Sequence, residues 1–119
     1  MGLKSYRELE VWQKGMDLVV ASYRLAAGFP SQEKYGLTSQ LQRAAVSIPA
    51  NIAEEYGRSH RKEYVHHLSI AKGSLAELET HLLIVLRLDF ITREQIKEVW
   101  SLAQDVGQML TKLIASLRN

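Results

Sequence analysis

Residues 35–80, Tyr35-Gly-Leu-Thr-Ser-Gln-Leu-Gln-Arg-Ala-Ala-Val-Ser-Ile-Pro49-Ala-Asn-Ile-Ala-Glu-Glu-Tyr-Gly57-Arg-Ser-His-Arg-Lys-Glu-Tyr64-Val-His-His-Leu-Ser-Ile-Ala-Lys-Gly73-Ser-Leu-Ala-Glu-Leu-Glu-Thr80, decide the fold. Apolar positions Leu41, Ala45, Ile48, Ile52 and Tyr56 recur at helical spacing across Pro49. A proline inside a helix removes one backbone bond and costs about 3 kcal/mol or more. A pattern that continues beyond it predicts a helix kinked at Pro49 and held by packing, with Gly57 closing it. The next helix keeps a 4-3 rhythm through Tyr64, Leu68, Ala71, Leu75, Leu78, Leu82 and Val85.

Two further helices flank this pair. Leu9, Trp12, Met16, Val19, Tyr23 and Ala26 predict a helix from about Tyr6 to Ala27, opened by a Ser5–Glu8 capping box and ended by Gly28 and Pro30. Ile96, Val99, Ala103, Val106, Leu110, Leu113 and Leu117 predict the last helix, with Thr92–Gln95 as its capping box and Ile91 and Ile96 as a hydrophobic staple. No segment sustains the period-2 alternation of a strand. The expectation is an all-α chain, one domain over residues 1–119, folded as an antiparallel up-down-up-down four-helix bundle. Heptad spacing favours side-by-side packing near +20°.

The seams are wider than one bundle core requires. Val11, Leu18 and Leu25 flank the first seam, Leu83 and Leu86 the third, and Trp100, Met109 and Ile114 the fourth. Two readings stand: the broad apolar face of an ordinary bundle helix, or a second apolar face that pairs copies of the chain. Gly73, away from the third seam, either admits another helix closely or is a tolerated glycine costing about 1 kcal/mol.

Composition excludes several classes. At 119 residues, 46% hydrophobic and 24% charged, with 7 Gly and 2 Pro, the chain is globular rather than fibrous or disordered. The absence of cysteine removes disulfides, thiolate metal sites and cysteine nucleophiles. No apolar run approaches the roughly 20 residues that span a bilayer, and the first residues lack a signal-peptide core. The expectation is a soluble cytoplasmic protein.

Charge is unevenly distributed. Between Arg58 and Lys72 four basic residues (Arg58, Arg61, Lys62, Lys72) face one acid, Glu63, a local charge of +3 against +2 for the whole chain, so the remainder carries −1. With Ser59 as N-cap, Arg61 and Lys62 fall in the first turn of the third helix, where the helix dipole favours acids. Glu8 and Glu94 obey that rule in the first and fourth helices. A phosphate at this turn would reverse the sign of the interaction. The alternative is a solvated basic turn, or one paired with Glu54 and Glu55.

Other chemistry finds little support. Glu63-Tyr-Val-His66 has the Glu-x-x-His spacing of di-iron bundles. Measured from the Tyr64–Leu68 seam at about 100° per residue, however, Glu63 lies about 100° and His66 about 160° away. Glu77 and His81 are four apart and flank the seam, so no second pair completes a metal site. Ser22, Ser39, Ser47, Ser59, Ser69 and Ser74 lack a nucleophile-elbow context. No glycine loop is built to cradle phosphate. Trp12 and Trp100 fall on or beside seams and read as core. No cofactor, metal or enzymatic activity is expected.

Several stretches, in order, carry a resemblance: Leu9-Glu-Val-Trp12-Gln, Phe29-Pro30 with Glu33, Tyr35-Gly-Leu-Thr38, Gln42-Arg43-Ala-Ala-Val-Ser-Ile-Pro49, Asn51-Ile-Ala-Glu54, Gly57-Arg58, and Ile70-Ala-Lys-Gly-Ser74 followed by Glu77-Leu-Glu79. The chain resembles the four-helix bundle family encoded by intervening sequences of bacterial 23S ribosomal RNA genes. The family's usual glycine after Ile-Ala-Glu is Glu55 here, which adds negative charge near the basic turn. The resemblance implies a homo-oligomer, a barrel-like pentamer of bundles. It also implies similarity to the accessory protein of diversity-generating retroelements, whose basic surface engages nucleic acid and a reverse transcriptase. Arg43, Arg58 and Lys72 are the basic positions inside matching motifs; Arg61 and Lys62 come from the charge pattern alone.

Two functions follow as expectations. One is a non-enzymatic, oligomeric protein that binds structured RNA or an RNA–DNA intermediate through Arg43, Arg58, Arg61, Lys62 and Lys72. The other is a scaffold for a protein such as a reverse transcriptase, with no nucleic-acid role.

Overall fold

The computed structural model describes residues 5–54, 56–57 and 60–118. Four helices form the fold: α1 (Glu10–Ala26), α2 (Leu37–Ala53), α3 (Arg61–Arg87) and α4 (Arg93–Leu117). Two 3-10 turns, Tyr6–Glu8 and Ser31–Glu33, precede α1 and α2. No strand occurs among the described residues. None of their helices is long and apolar enough to cross a membrane.

Each helix packs against two neighbours in the cycle α1–α2–α3–α4–α1. Cross-contacts fix the sense of each pair. Gln40, Ser47 and Asn51 of α2 bond His81, Ser74 and His67 of α3, so one number rises as the other falls. Gly15 of α1 lies against Ile48, Pro49 and Ile52 near the end of α2. Glu79 of α3 meets Gln104 of α4, and Lys14 of α1 meets Asp105 of α4. Tyr23 of α1 lies by Ser39 and Arg43 of α2, Arg24 of α1 by Gln95 of α4, and Arg61 of α3 by Arg118, just past α4, so each contacting pair runs antiparallel.

The core follows from periodicity with corrections in α1 and α4. All seven expected seam residues of α3 are buried. In α4 Ile96, Val99, Ala103, Val106 and Leu110 are buried, while Leu113 and Leu117 are half-exposed and Ile114 takes the inner place. In α1 the expected seam is rotated. Val11, Gly15, Leu18, Ser22 and Ala26 face the core, whereas Met16 and Tyr23 are more than 40% exposed. The stripe of larger side chains was the flank, because small residues on the true face let α2 approach: a Cβ on Gly15 would already touch Pro49.

The start of α1 also differs from expectation. Ser5 caps only a 3-10 turn, its Oγ accepting from the Arg7 N–H at 3.1 Å. Leu9 is then extended (φ −73°, ψ 127°), and α1 begins at Glu10. The Gln13 side chain bonds back to the Arg7 carbonyl at 2.9 Å across this break.

α2 runs through Pro49 to Ala53, which leaves Tyr56 beyond its end, and Gly57 takes φ +84°. At α4 the expected capping box forms: Thr92 Oγ1 accepts from the Gln95 N–H (3.1 Å) and Gln95 Oε1 from the Thr92 N–H (2.8 Å). α3 ends in a Schellman turn, with Asp89 at φ 62° and the Phe90 N–H returning to the Val85 carbonyl at 3.0 Å. Gly73 is exposed, and apart from its own stretch of helix backbone no described residue comes within 4 Å of its Cβ position.

A polar ladder crosses the α2–α3 interface. Ser47 Oγ and Ser74 Oγ share a 2.8 Å hydrogen bond. The Asn51 amide donates to the Ser47 carbonyl and Oγ, while its oxygen accepts from His67 Nδ1 at 3.0 Å. His81, 8% exposed, donates from Nδ1 to the Glu77 carbonyl and meets the Gln40 amide at Nε2. Buried polar groups that would cost about 1–3 kcal/mol each unpaired are thus matched, which fixes α3 against α2 in one register.

Candidate nucleic-acid interface

Arg61 and Lys62 open α3 as exposed residues of its first turn. The N-cap is His60, whose side chain makes no capping bond. Arg58 and Ser59, with Glu55, lie outside the described residues. Glu54 is exposed and forms no ion pair with Arg61 or Lys62 among the described residues.

Antiparallel packing brings a new partner to this turn. The end of α4 lies beside the start of α3, and Arg61, Lys62 and Val65 line one depression with Leu117 and Arg118. Three cations therefore gather at one end of the bundle. The negative end of the α4 dipole lies alongside and offsets part of their mutual repulsion.

Further along the same pair of helices, Lys72, Leu75, Ala76 and Glu79 line a second depression with Gln104, Gly107, Thr111 and Lys112. Arg61, Val65, Lys72, Ala76 and Glu79 fall on one face of α3 at about 100° per residue, so the two depressions lie along the same side of the α3–α4 pair and read as one groove. Its lining includes five cations (Arg61, Lys62, Lys72, Lys112, Arg118) and one carboxylate, Glu79. That is +4 on a chain of formal charge +2, leaving −2 elsewhere. Glu79 accepts from the Gln104 amide at 2.9 Å. None of the five cations has an acidic partner among the described residues.

Arg43 is not part of this groove. It is exposed on α2, in a separate depression with Tyr23, Ser39, Gln42, Val46 and Ser47. The structure thus unites Arg61, Lys62 and Lys72, adds Lys112 and Arg118, and sets Arg43 apart. The two additions were hidden because they are far apart in sequence from the basic run; only the α3–α4 pairing register reveals them.

The residues considered for metal do not converge. Glu63 and His66 are exposed, His67 and His81 belong to the α2–α3 ladder, and no three such ligands meet among the described residues. Tyr64 is buried beside Tyr56, ring centroids 5.8 Å apart. Burial, with a smaller contribution from Tyr56, pushes its phenol up to about 12. Its hydroxyl has no partner among the described residues.

Comparison with known proteins agrees with this architecture. A family model described as 23S rRNA-intervening sequence protein matches residues 7–112. The fold is similar to a crystal structure, at 1.70 Å, of a protein of unknown function from the S23 ribosomal protein family of Bacteroides thetaiotaomicron. The TM-score is 0.80 and the identity 27%, over 87% of this chain and 97% of that one. No curated protein matches.

Proposed function

We propose, from the premise that this chain belongs to the 23S rRNA-intervening sequence protein family, that it is a non-enzymatic cytoplasmic protein that binds nucleic acid through the basic start of α3. The observation that carries this reading is the exposure of Arg61 and Lys62 in the first turn of α3 without an acid paired to them among the described residues. Phosphate contacts from such side chains supply affinity and little base reading. The partner is structured RNA or an RNA–DNA intermediate. A homo-oligomer, a pentamer by resemblance, would repeat the patch and add avidity. Exposed apolar residues Met16, Val20 and Val46 on one side and Leu83 and Ile84 on α3 supply surface for that association.

The test is a charge-reversed protein, Arg58→Glu/Arg61→Glu/Lys62→Glu, measured against a structured RNA over a salt series. The expectation is weaker binding and a shallower dependence on log salt, with helicity and mass by light scattering unchanged. Unchanged affinity in the folded oligomer overturns the reading.

A second reading, a scaffold for a protein such as a reverse transcriptase, draws on the half-exposed Met16, Val20, Tyr23 and Val46 of α1 and α2. Capture of such a partner that survives nuclease and high salt, and is lost in Val20→Glu/Val46→Glu, favours it.

A further inference from the structure

We infer that the whole α3–α4 groove is a cradle for double-helical RNA, gripped at its phosphates and 2′-hydroxyls, with Lys112 and Arg118 as binding residues. This rests on the nucleic-acid reading above and names the class of ligand. The first observation is the placement of charge. Arg61, Lys62 and Arg118 occupy one end of the groove, and Lys72 and Lys112 form a second group further in. Lys62 and Lys72 are separated by about 15 Å along α3 at 1.5 Å per residue. Both groups stand on long, antiparallel helices, so their separation is fixed by the fold. A fixed pair of cationic points suits phosphates that are themselves held in a duplex.

The second observation is what the groove lacks. No aromatic side chain is among the residues that line either depression. Proteins that hold single strands combine a basic groove with aromatic platforms for the unstacked bases. Nothing here offers such a platform, so the bases of the ligand stay paired and stacked.

The third observation selects RNA. Thr111 and Gln108, exposed on α4, lie beside the Lys72–Lys112 group. Each presents both donors and acceptors. Double-stranded RNA is recognised by shape, phosphates and the 2′-hydroxyl, itself a donor and an acceptor. Beyond them the Glu79–Gln104 bond puts a carboxylate in the path of the backbone and ends the footprint.

The experiment uses the full chain with four probes of one sequence: RNA duplex, DNA duplex, and the corresponding single strands, each over a salt series. The expected order is RNA duplex first, with log affinity falling by about 4–5 per decade of salt for five phosphate contacts. In Lys112→Glu/Arg118→Glu, RNA-duplex affinity falls at least tenfold and the slope drops by about 2. A control with the same charge change at the opposite end of the bundle, Lys34→Glu/Arg93→Glu, keeps the wild-type slope. Single strands bound more tightly than duplex, or a groove variant no weaker than the control, overturns the cradle and leaves the α3-start reading standing. Equal binding of both duplexes overturns the assignment to RNA. No binding of any probe at low salt overturns both readings.

Discussion

The same substitution at two helical glycines should have opposite consequences. Gly73 in α3 and Gly107 in α4 each cost their helix about 0.8–1 kcal/mol relative to alanine. A Cβ at Gly73 meets no atom within 4 Å, whereas at Gly107 it lies 3.1 Å from Leu75 Cδ2. Gly73→Ala therefore keeps nearly the whole propensity gain, roughly 0.5–1 kcal/mol of added stability. At Gly107 the same gain is opposed by a contact tighter than van der Waals distance. Leu75 is 4% exposed, and its Cδ2 must shift by a few tenths of an ångström to admit the methyl. Overfilling a core costs about 1–3 kcal/mol, so Gly107→Ala should be neutral to about 2 kcal/mol less stable. The two variants then differ by at least about 0.5 kcal/mol, or roughly 2 °C in melting temperature for a domain of this size. Urea unfolding followed by circular dichroism, at matched protein concentration, measures the difference. Equal stabilisation of both would refute the packing argument for the α3–α4 contact. A Gly73→Ala protein that loses stability together with oligomer mass would instead place Gly73 against a second copy.

Other expectations are as direct. Asp89→Gly relieves a non-glycine residue at φ 62° and should gain up to about 1 kcal/mol, read as a higher urea midpoint. Thr92→Ala breaks the α4 capping box and should cost about 1 kcal/mol by the same assay. Leu82→Ala empties a fully buried site and should cost roughly 2–5 kcal/mol; a loss under about 1 kcal/mol would contradict its place in the core. Tyr64 makes stability fall at high pH. Its folded pKa is raised from 10.0 to about 12, so the folded state holds the proton more tightly, and the contribution is whole below pH 10 and lost as pH rises toward 12. Tyr64→Phe should flatten that loss, seen in unfolding curves at pH 9 and above, and cost little at neutral pH because the hydroxyl has no partner among the described residues.

Much of the architecture was legible in residue order because a bundle helix writes its buried face as a 3.6-residue period. α3 was read correctly at every seam position, since its large side chains point inward. α1 was misread by about one position for the opposite reason. Its inner face carries Gly15, Ala21 and Ser22, which admit α2 closely, and periodicity weighted by side-chain size finds the flank instead. The polar ladder leaves a trace in the sequence: His67, Ser74 and His81 recur every seven residues in α3, and Gln40 and Ser47 do so in α2.

Residue order alone specifies an all-α chain, the inward face of each helix of the α2–α3 pair, the start of α4 at Thr92, and the concentration of positive charge near the start of α3. These are local properties, set by spacing along one helix and by the chemistry of its first turn. Which cations share a surface depends on how the helices pack. Arg43 precedes the basic run by 15 residues and faces another groove, while Arg118, 57 residues after Arg61, lies beside it. Charge acts through space over about 10 Å before salt screens it, and it is antiparallel packing, not order along the chain, that sets those distances.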